Sequence, residues 1–307
     1  MISDPGALKP SRTKFRGPDV EFGEFNLPPG HPRWSAVNVV DGDRALIAFP
    51  GSAVEIRQVG RGPVVADPTR AVAYAPGTEY RRTVVSPDGD RCTFVAVSRE
   101  LAAEAAVAFD EEAHDAATYR FPFTTASLHD PVFLLKESVR AGASGTAAPD
   151  ALRESLYWLV GRTISSGYGN LGRRQRRTRP GTDQAHQELV DGVRRLIGAE
   201  PGARTTLDDL AAALHTSPFH LSRTFRRWTG CSIHTYRTRV RLRVGLDRIA
   251  HGDRIADVAL ELGFASQSHF TDRLRRDLKL TPDSWRRALS ARHELSRILK
   301  ESRIPAA

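Results

Sequence analysis

Two short stretches of the sequence carry polar side chains at the three- and four-residue spacing of one helix face. Arginine can read guanine in a bidentate manner, glutamine can read adenine, and aspartate can accept from the amino group of cytosine. The first stretch offers Arg223, and the second offers Gln267 and Asp272. This chemistry predicts direct readout of DNA bases in the major groove. The outward-facing sets are Phe219, Ser222, Arg223 and Arg226 in the first stretch, and Ser268, Thr271, Asp272 and Arg275 in the second, with Gln267, His269 and Arg276 within reach.

One residue does not fit a surface built for a polyanion, because Asp272 is an acid among arginines. It could read a cytosine directly, or it could repel phosphate and shift specificity onto the first stretch. It could also pair with Arg275 or Arg276 within the helix. The sequence leaves these three alternatives open.

An internal repeat supplies the elements that must position both stretches. Residues 205–237 resemble residues 253–286, at an offset of 48 that becomes 49 after one extra residue in the turn 263–265. Each unit is predicted to be a helix, a tight turn and a second helix, because apolar residues recur at helical spacing on both sides of a turn signal. A helix-turn-helix enters the major groove with the N-terminal end of its second helix. Two such units in tandem favour DNA binding over a pair of hairpins with merely solvated polar faces.

Capping residues indicate where these helices begin. Thr206, with Asp209 three residues later, has the arrangement of a capping box. Ser217 and Ser266 are predicted to cap the second helix of each unit. Gly263 stands where the chain must turn with positive φ.

The charge is unevenly distributed along the 307 residues. Residues 1–170 carry 18 Lys and Arg against 21 Asp and Glu, whereas residues 171–307 carry 27 against 15. The net charge of +9 therefore belongs to the C-terminal part. Such an asymmetry suggests a polyanion-binding module joined to a second domain of another kind.

The N-terminal half has the pattern of an antiparallel β-sandwich or barrel, at about residues 34–124. Short runs rich in Val, Ile and Ala alternate with Gly and Pro turn signals. Residues 1–33, rich in Pro, Gly and charge, are expected to form an irregular arm. The predicted strands are 35–40, 44–49, 53–59, 70–75 and 92–97, with one more at 120–123, and a helix capped by Ser98 follows the fifth.

Two further helices are predicted at 128–140 and 150–164, within a helical region of about 128–166. Their apolar faces could pack on the sheet of the same chain or join two subunits, so a monomer and a homodimer both stay open. A basic stretch with almost no apolar residue, 169–184, is predicted to be a linker. The predicted domains are 1–168 for sensing, ligand binding or dimerisation, the linker 169–184, a helical DNA-binding domain 185–290 and a C-terminal helical tail 291–307.

The sequence lacks the residue patterns that several other kinds of protein require. The two cysteines, Cys92 and Cys231, cannot make a disulfide framework or a four-ligand zinc site. A cupin-type metal site needs two histidines one residue apart, and His31, His114 and His129 do not have that spacing. No nucleophile-elbow pattern is present, and no apolar run approaches the length of a membrane span. We therefore expect no enzyme, no cofactor, no metal and no membrane segment, in a cytoplasmic protein.

Four strings in the C-terminal half are highly specific together: LAAALHTSPFHLSRTFRRWTG (210–230), RVRLR (239–243), IADVALELGFASQSHFTDRLRR (255–276) and TPDSWR (281–286). They resemble the DNA-binding domain of AraC/XylS transcriptional regulators, over about residues 186–289. The resemblance implies two helix-turn-helix units joined by one long helix, here about 233–251. It also implies that the two recognition helices enter successive major-groove segments, so that one subunit reads an asymmetric site.

The resemblance also assigns roles by position in the motif. Two departures from the family pattern are Lys279, where glycine is usual, and Asp272, where a basic or polar reader is common. The base-reading positions fall on Phe219, Ser222, Arg223, Gln267, Ser268, His269 and Asp272. Phosphate contacts are expected from Ser217, His220, Arg226, Arg227, Arg237, Ser266, Arg275 and Arg276.

The N-terminal half resembles, in general pattern, the cupin-like sensor domains of the same family. The expected fold class is therefore α+β, with a cupin-like antiparallel β-barrel and flanking helices before an all-α domain of two helix-turn-helix units. The expected function is a DNA-binding transcriptional regulator, controlled by an unknown small effector or a partner protein, with RNA polymerase as a further candidate partner. The alternative is a sensor or scaffold that acts by protein contact and binds DNA weakly. Ligand-side candidates are Trp34, Arg57, Tyr74, Glu79, Tyr80 and Arg81.

Overall fold

The computed structural model describes residues 11–40, 42–60, 62–107, 124–125, 156–157, 159–161, 163–164, 180–250 and 252–278. Antiparallel strands form the N-terminal part of the chain and helices form the C-terminal part, which confirms the α+β class. Within these ranges, no helix has the length and apolar character that a membrane crossing requires.

In the part of the chain that the structure describes, ten strands build two antiparallel sheets. The strands are β1 (Ser11–Arg16), β2 (Val20–Leu27), β3 (Asn38–Val39), β4 (Arg44–Pro50), β5 (Val54–Gln58), β6 (Val64–Ala66), β7 (Arg70–Tyr74), β8 (Glu79–Val84), β9 (Asp90–Ser98) and β10 (Thr124–Thr125), with a short 3-10 helix at Pro32–Trp34. The first sheet has the order β1-β2-β9-β4-β7-β10, and the second has the order β3-β8-β5-β6.

The N-terminal segment is not the irregular arm that its composition suggested. From residue 11 onward it contains β1 and β2, and β2 pairs with β9 along its whole length, from Val20 opposite Val97 to Leu27 opposite Asp90. Val20 and Phe22 are fully buried, because alternate residues of this strand face the core. Glycine and proline are concentrated outside the strands, in the β1–β2 turn and after β2, so they do not prevent pairing.

Three further strands were missed. β6 and β10 are only three and two residues long. β8 reads EYRRTV, with Tyr80 and Arg82 buried and their neighbours Glu79 and Arg81 exposed. An inward-facing arginine hides the alternation on which strand prediction rests. The predicted strand 120–123 and the predicted helix 128–140 lie outside the described residues.

Both faces of the first sheet are buried. One face places Phe22, Ile47 and Val95 in a core with Ala102 of helix α1 (Arg99–Val107). Ser98 caps this helix, because its hydroxyl accepts from the backbone N–H of Leu101 at 3.2 Å. The same core contains Leu156, Leu159, Val160 and Ile164, at helical positions of the predicted 150–164 segment, so this segment packs on the sheet of its own chain. The other face meets the second sheet through Ala48, Val54, Ile56, Val72 and Tyr74.

The C-terminal helices share one core. They are α2 (Pro180–Ala199), α3 (Leu207–Ala213), α4 (Pro218–Thr229), α5 (Ile233–Ala250), α6 (Ile255–Glu261) and α7 (Gln267–Leu278). Leu210 and Phe225 from the first unit and Val258 and Phe270 from the second are fully buried with Leu242 of α5. The long connecting helix has the expected position. α2 begins at Pro180, inside the stretch 169–184 that was predicted to be a linker. Proline does not prevent this start, because its missing N–H would have no partner at a first helical position.

Candidate nucleic-acid interface

Local hydrogen bonds define the first helix-turn-helix unit. The Thr206 hydroxyl accepts from the backbone N–H of Asp209 at 3.1 Å, and the Asp209 carboxylate accepts from the backbone N–H of Thr206 at 2.8 Å. These bonds lower the pKa of Asp209. The Ser217 hydroxyl accepts from the backbone N–H of His220 at 3.2 Å and caps α4. Both predicted caps are therefore present.

The turns of the two units occupy equivalent positions but use different residues. Gly263 has φ +76°, and a Cβ atom there would lie 2.9 Å from the carbonyl oxygen of Gly202. His215, 48 positions earlier, has φ 51°. The second unit thus requires glycine, whereas the first accepts a residue that bears the strain of a left-handed conformation. The equivalence supports the sequence repeat.

The first recognition helix, α4, separates an apolar face from an exposed one. Leu221 and Phe225 are fully buried. Phe219 is 75% exposed, Arg223 is exposed and Ser222 is half-buried. The residues predicted to face DNA therefore lie on the accessible side of the helix, at its N-terminal end, as insertion into a major groove requires.

The second recognition helix, α7, has the same organisation. Phe270 and Leu274 are buried, and the four predicted base-facing residues Gln267, Ser268, His269 and Asp272 are exposed. The Ser266 hydroxyl accepts from the backbone N–H of His269 at 3.1 Å, as a cap does.

Two of the predicted base-facing residues of α7 have local partners. The ring of His269 accepts from the backbone N–H of Ala265 at 3.4 Å and lies edge-on to Phe264. Asp272 lies 3.6 Å from the guanidinium of Arg275, and both side chains are exposed. The within-helix ion pair is therefore present. An exposed pair of this kind contributes little to stability. It therefore does not prevent Asp272 from reading a base or repelling a phosphate.

The predicted phosphate contacts differ in accessibility. Arg226, Arg227, Arg275 and Arg276 are exposed. Arg237 is half-buried and donates to the backbone carbonyl of Thr205 at 2.5 Å, and burial lowers the pKa of its guanidinium. Its position indicates that it fixes the chain before α3. Arg241, in the RVRLR string, has a similar position and donates to the carbonyls of Pro201 and Ala203.

The ligand-side candidates fall into two groups. A cavity of about 180 Å³ lies between the two sheets, and Tyr74 and Tyr80 line it, with ring centroids 4.7 Å apart. Trp34 packs against the same apolar cluster and donates to the carbonyl of Pro28. Arg57, Glu79 and Arg81 are exposed and do not line the cavity.

Sequence reasoning missed an ion pair in the cavity wall. Arg82 lies 3.0 Å from the Asp90 carboxylate, donates to the Tyr80 hydroxyl at 2.5 Å and stacks over the Phe25 ring. Burial raises the pKa of Asp90 to about 6, although Arg82 acts in the opposite direction. The only sequence signal is that Arg82 follows Tyr80 at the two-residue period of a strand.

A second feature that the sequence did not reveal joins the β-sheets to the helices. We call it the buried polar cluster; it consists of Asp67, Arg70, Asp191, Arg194 and Tyr236. Arg70 lies 3.2 Å and Arg194 3.0 Å from the Asp191 carboxylate. Asp67 accepts from the Tyr236 hydroxyl at 3.1 Å and lies 3.4 Å from Arg194. All five side chains are buried, and the two positive and two negative charges balance.

The buried polar cluster connects the cavity wall with a recognition helix. Asp67 directly follows Ala66, which lines the cavity. Tyr236, at the other end, packs edge-to-face on Phe225 of α4, with centroids 5.3 Å apart. Burial raises the pKa of Tyr236 well above its usual range, so the phenol stays protonated and donates to Asp67.

Among the described residues, no group of three or more His, Cys, Asp and Glu side chains is placed to hold a metal ion. Cys92 and Cys231 are both half-buried.

Comparison with known proteins identifies the helical region. Residues 210–288 match a family described as a helix-turn-helix domain. Regulatory protein PocR of Salmonella typhimurium is 26% identical over 106 residues, 34% of this chain and 35% of PocR. The bifunctional transcriptional activator/DNA repair enzyme AdaA of Bacillus subtilis is 28% identical over 100 residues, 32% of this chain and 47% of AdaA. The matched segments thus span between about a third and half of these relatives.

A likeness that extends over most of the chain is more distant. A crystal structure of ToxT from Vibrio cholerae is 11% identical and has a TM-score of 0.33, covering 89% of this chain and 99% of ToxT.

Proposed function

We propose that the whole protein is a sequence-specific DNA-binding transcriptional regulator of the AraC/XylS type, since residues 210–288 match a helix-turn-helix domain family. The observation that carries the proposal is the pair of capped helix-turn-helix units with exposed, polar recognition faces on α4 and α7. The two helices would enter successive major-groove segments of one DNA site. We also propose a cytoplasmic location, where such a regulator meets DNA, and RNA polymerase as a candidate partner. A monomer and a homodimer are both compatible with this function.

The proposed base readers are the exposed residues near the N-terminal ends of the recognition helices. Arg223 would read guanine, and Phe219 would contact a thymine methyl group. The exposed arginines Arg226, Arg227, Arg275 and Arg276 would supply phosphate contacts, so that affinity falls steeply as salt rises.

A matched pair of substitutions on α4 tests this assignment. Arg223→Ala should weaken binding to the preferred site by about 1–3 kcal/mol, the usual contribution of a bidentate base contact, and leave binding to random DNA almost unchanged. Arg226→Ala removes the same charge from the same helix and should weaken both kinds of DNA alike. Gel-shift titrations of the full chain at fixed salt measure both effects.

The same titrations test the proposal as a whole. Genomic fragments selected by the wild-type protein provide the preferred site. An equal loss on selected and random DNA for Arg223→Ala would remove its base-reading role. If the wild-type chain showed no site preference over bulk DNA at physiological salt, the alternative of a regulator that acts by protein contact would replace the proposal.

We further propose that a small molecule in the cavity controls DNA binding. The cavity supports this assignment because it is mainly apolar and carries a few polar groups, as ligand sites do. The buried polar cluster supports the control step, since it lies between the cavity wall and α4.

A further inference from the structure

The charges in the cavity wall restrict what the cavity can bind. Arg82 and Asp90 are both almost fully buried and lie 3.0 Å apart, so the pair is electrically neutral as a unit. An anion added to this wall would either leave a buried negative charge without compensation or require Asp90 to take up a proton, and both are unfavourable at neutral pH. A neutral occupant preserves the balance.

One nitrogen of the same arginine makes no hydrogen bond to the described residues. Arg82 donates through its two terminal nitrogens to Asp90 and Tyr80. Its buried Nε–H has no hydrogen-bond partner among the described residues. A buried N–H without a partner is costly, and a ligand with a hydrogen-bond acceptor would satisfy it.

The volume and the remaining wall set the size and polarity of the occupant. A dry protein cavity of about 150 Å³ accommodates benzene. The present cavity, of about 180 Å³, therefore has room for one aromatic ring with one small substituent. Most of the wall is apolar, including Leu46, Val54, Ile56, Val72 and Phe94.

We infer that the cavity binds a neutral, mainly apolar molecule of about the size of a monosubstituted aromatic ring, whose one acceptor receives a hydrogen bond from Arg82. The inference rests on the proposed control by a small effector and names its chemical class. It excludes a carboxylate as the preferred occupant.

Three probes of similar size separate the contribution of the hydrogen bond from the effect of a negative charge on the ligand. Benzonitrile is neutral and carries an acceptor, phenylacetylene has nearly the same shape without one, and benzoate carries a negative charge. Their dissociation constants for the full chain are measured by NMR titration. We expect benzonitrile to bind about tenfold more tightly than phenylacetylene, as a hydrogen bond to a charged donor provides, and benzoate to bind most weakly. Tightest binding by benzoate, equal binding of the two neutral probes, or no binding of any probe overturns the inference.

Two variants locate the binding. Ala48 lies in β4 and lines the cavity, so Ala48→Leu fills the space and should abolish binding of both neutral probes. Arg82→Lys keeps a positive charge beside Asp90 but removes Nε–H, and should reduce benzonitrile binding to the level of phenylacetylene. Unchanged binding in a folded Ala48→Leu protein, or unchanged preference for benzonitrile in Arg82→Lys, contradicts the assignment.

DNA binding by the same preparations separates this inference from the proposed function. Site-selective DNA binding without binding of the neutral probes overturns the ligand class and leaves the regulator standing. Probe binding with the expected preference, but without site-selective DNA binding, supports the ligand class and removes the regulatory function.

Discussion

Removing one charge from the buried polar cluster should strongly weaken the contact between the β-sheets and the helices. Asp67 is fully buried and accepts from the backbone N–H of Thr69 at 2.7 Å and from the Tyr236 hydroxyl at 3.1 Å. Asp67→Asn retains the size and an acceptor oxygen but removes the negative charge. Arg70 and Arg194 then share the single carboxylate of Asp191.

The magnitude follows from this uncompensated charge. Removing one partner from a buried ion pair costs about 3–5 kcal/mol, because the remaining charge has lost both its partner and its hydration. We expect the free energy of unfolding to fall by that amount in urea titrations. Hydrogen exchange should show the loss at β6, β7 and α2, since the contact is between these elements.

A second ion pair across the same contact provides the control. Arg195 of α2 pairs with Glu55 of β5, but its side chain is 47% exposed. An exposed pair contributes about 0–1 kcal/mol, so Arg195→Ala should have a small effect. Equal losses for Asp67→Asn and Arg195→Ala would refute the reasoning, because burial would then not determine the cost.

Three further substitutions have definite expected outcomes. Gly263→Ala should lower the free energy of unfolding by at least about 1–2 kcal/mol in urea titrations, because its φ is left-handed and its Cβ would meet the Gly202 carbonyl. If Asp272 repels phosphate, Asp272→Ala should give tighter, less selective DNA binding in gel shifts. If Asp272 reads a base, the substitution should remove selectivity at one cytosine position. Unchanged binding would leave only the pair with Arg275. Asp90 is protonated more readily in the folded protein, with a pKa of about 6 against its usual 3.8, so its contribution to stability falls as pH rises from about 4 to about 6. Asp90→Asn should remove that part of the pH dependence, measured by urea unfolding at both ends of the range.

The features that could be predicted from the sequence depend on neighbouring residues. The capping box of Thr206 and the caps at Ser217 and Ser266 each involve two residues three positions apart. The positive φ of Gly263 reflects a turn within a single unit. The exposed face of each recognition helix follows directly from the 3.6-residue period.

The features that could not be predicted depend on long-range partners. Asp67 and Tyr236 are 169 positions apart, and no local pattern identifies either as a partner of the other. Asp191 and Arg194 lie on an inward face of α2, beside the buried Val190 and Val193. Charged residues at such positions are the one sequence signal that could have indicated a buried ionic contact. The role of Arg237 likewise depends on the carbonyl of a distant turn rather than on its own helix.

The adjacency of Ala66 and Asp67 would, under the proposed control by a cavity ligand, affect how the protein responds inside a cell. One residue lines the cavity and the next belongs to the buried polar cluster. Thermodynamic linkage is reciprocal: by whatever factor an occupant of the cavity changes the affinity for DNA, DNA changes the affinity for that occupant. Under the proposed control by a cavity ligand, operator DNA would itself be an effector of the β-sheets. At one ligand concentration, protein molecules bound at a promoter and protein molecules free in solution would differ in the fraction of cavities that are occupied. The ligand concentration to which each promoter responds would therefore depend on the strength of its DNA-binding site.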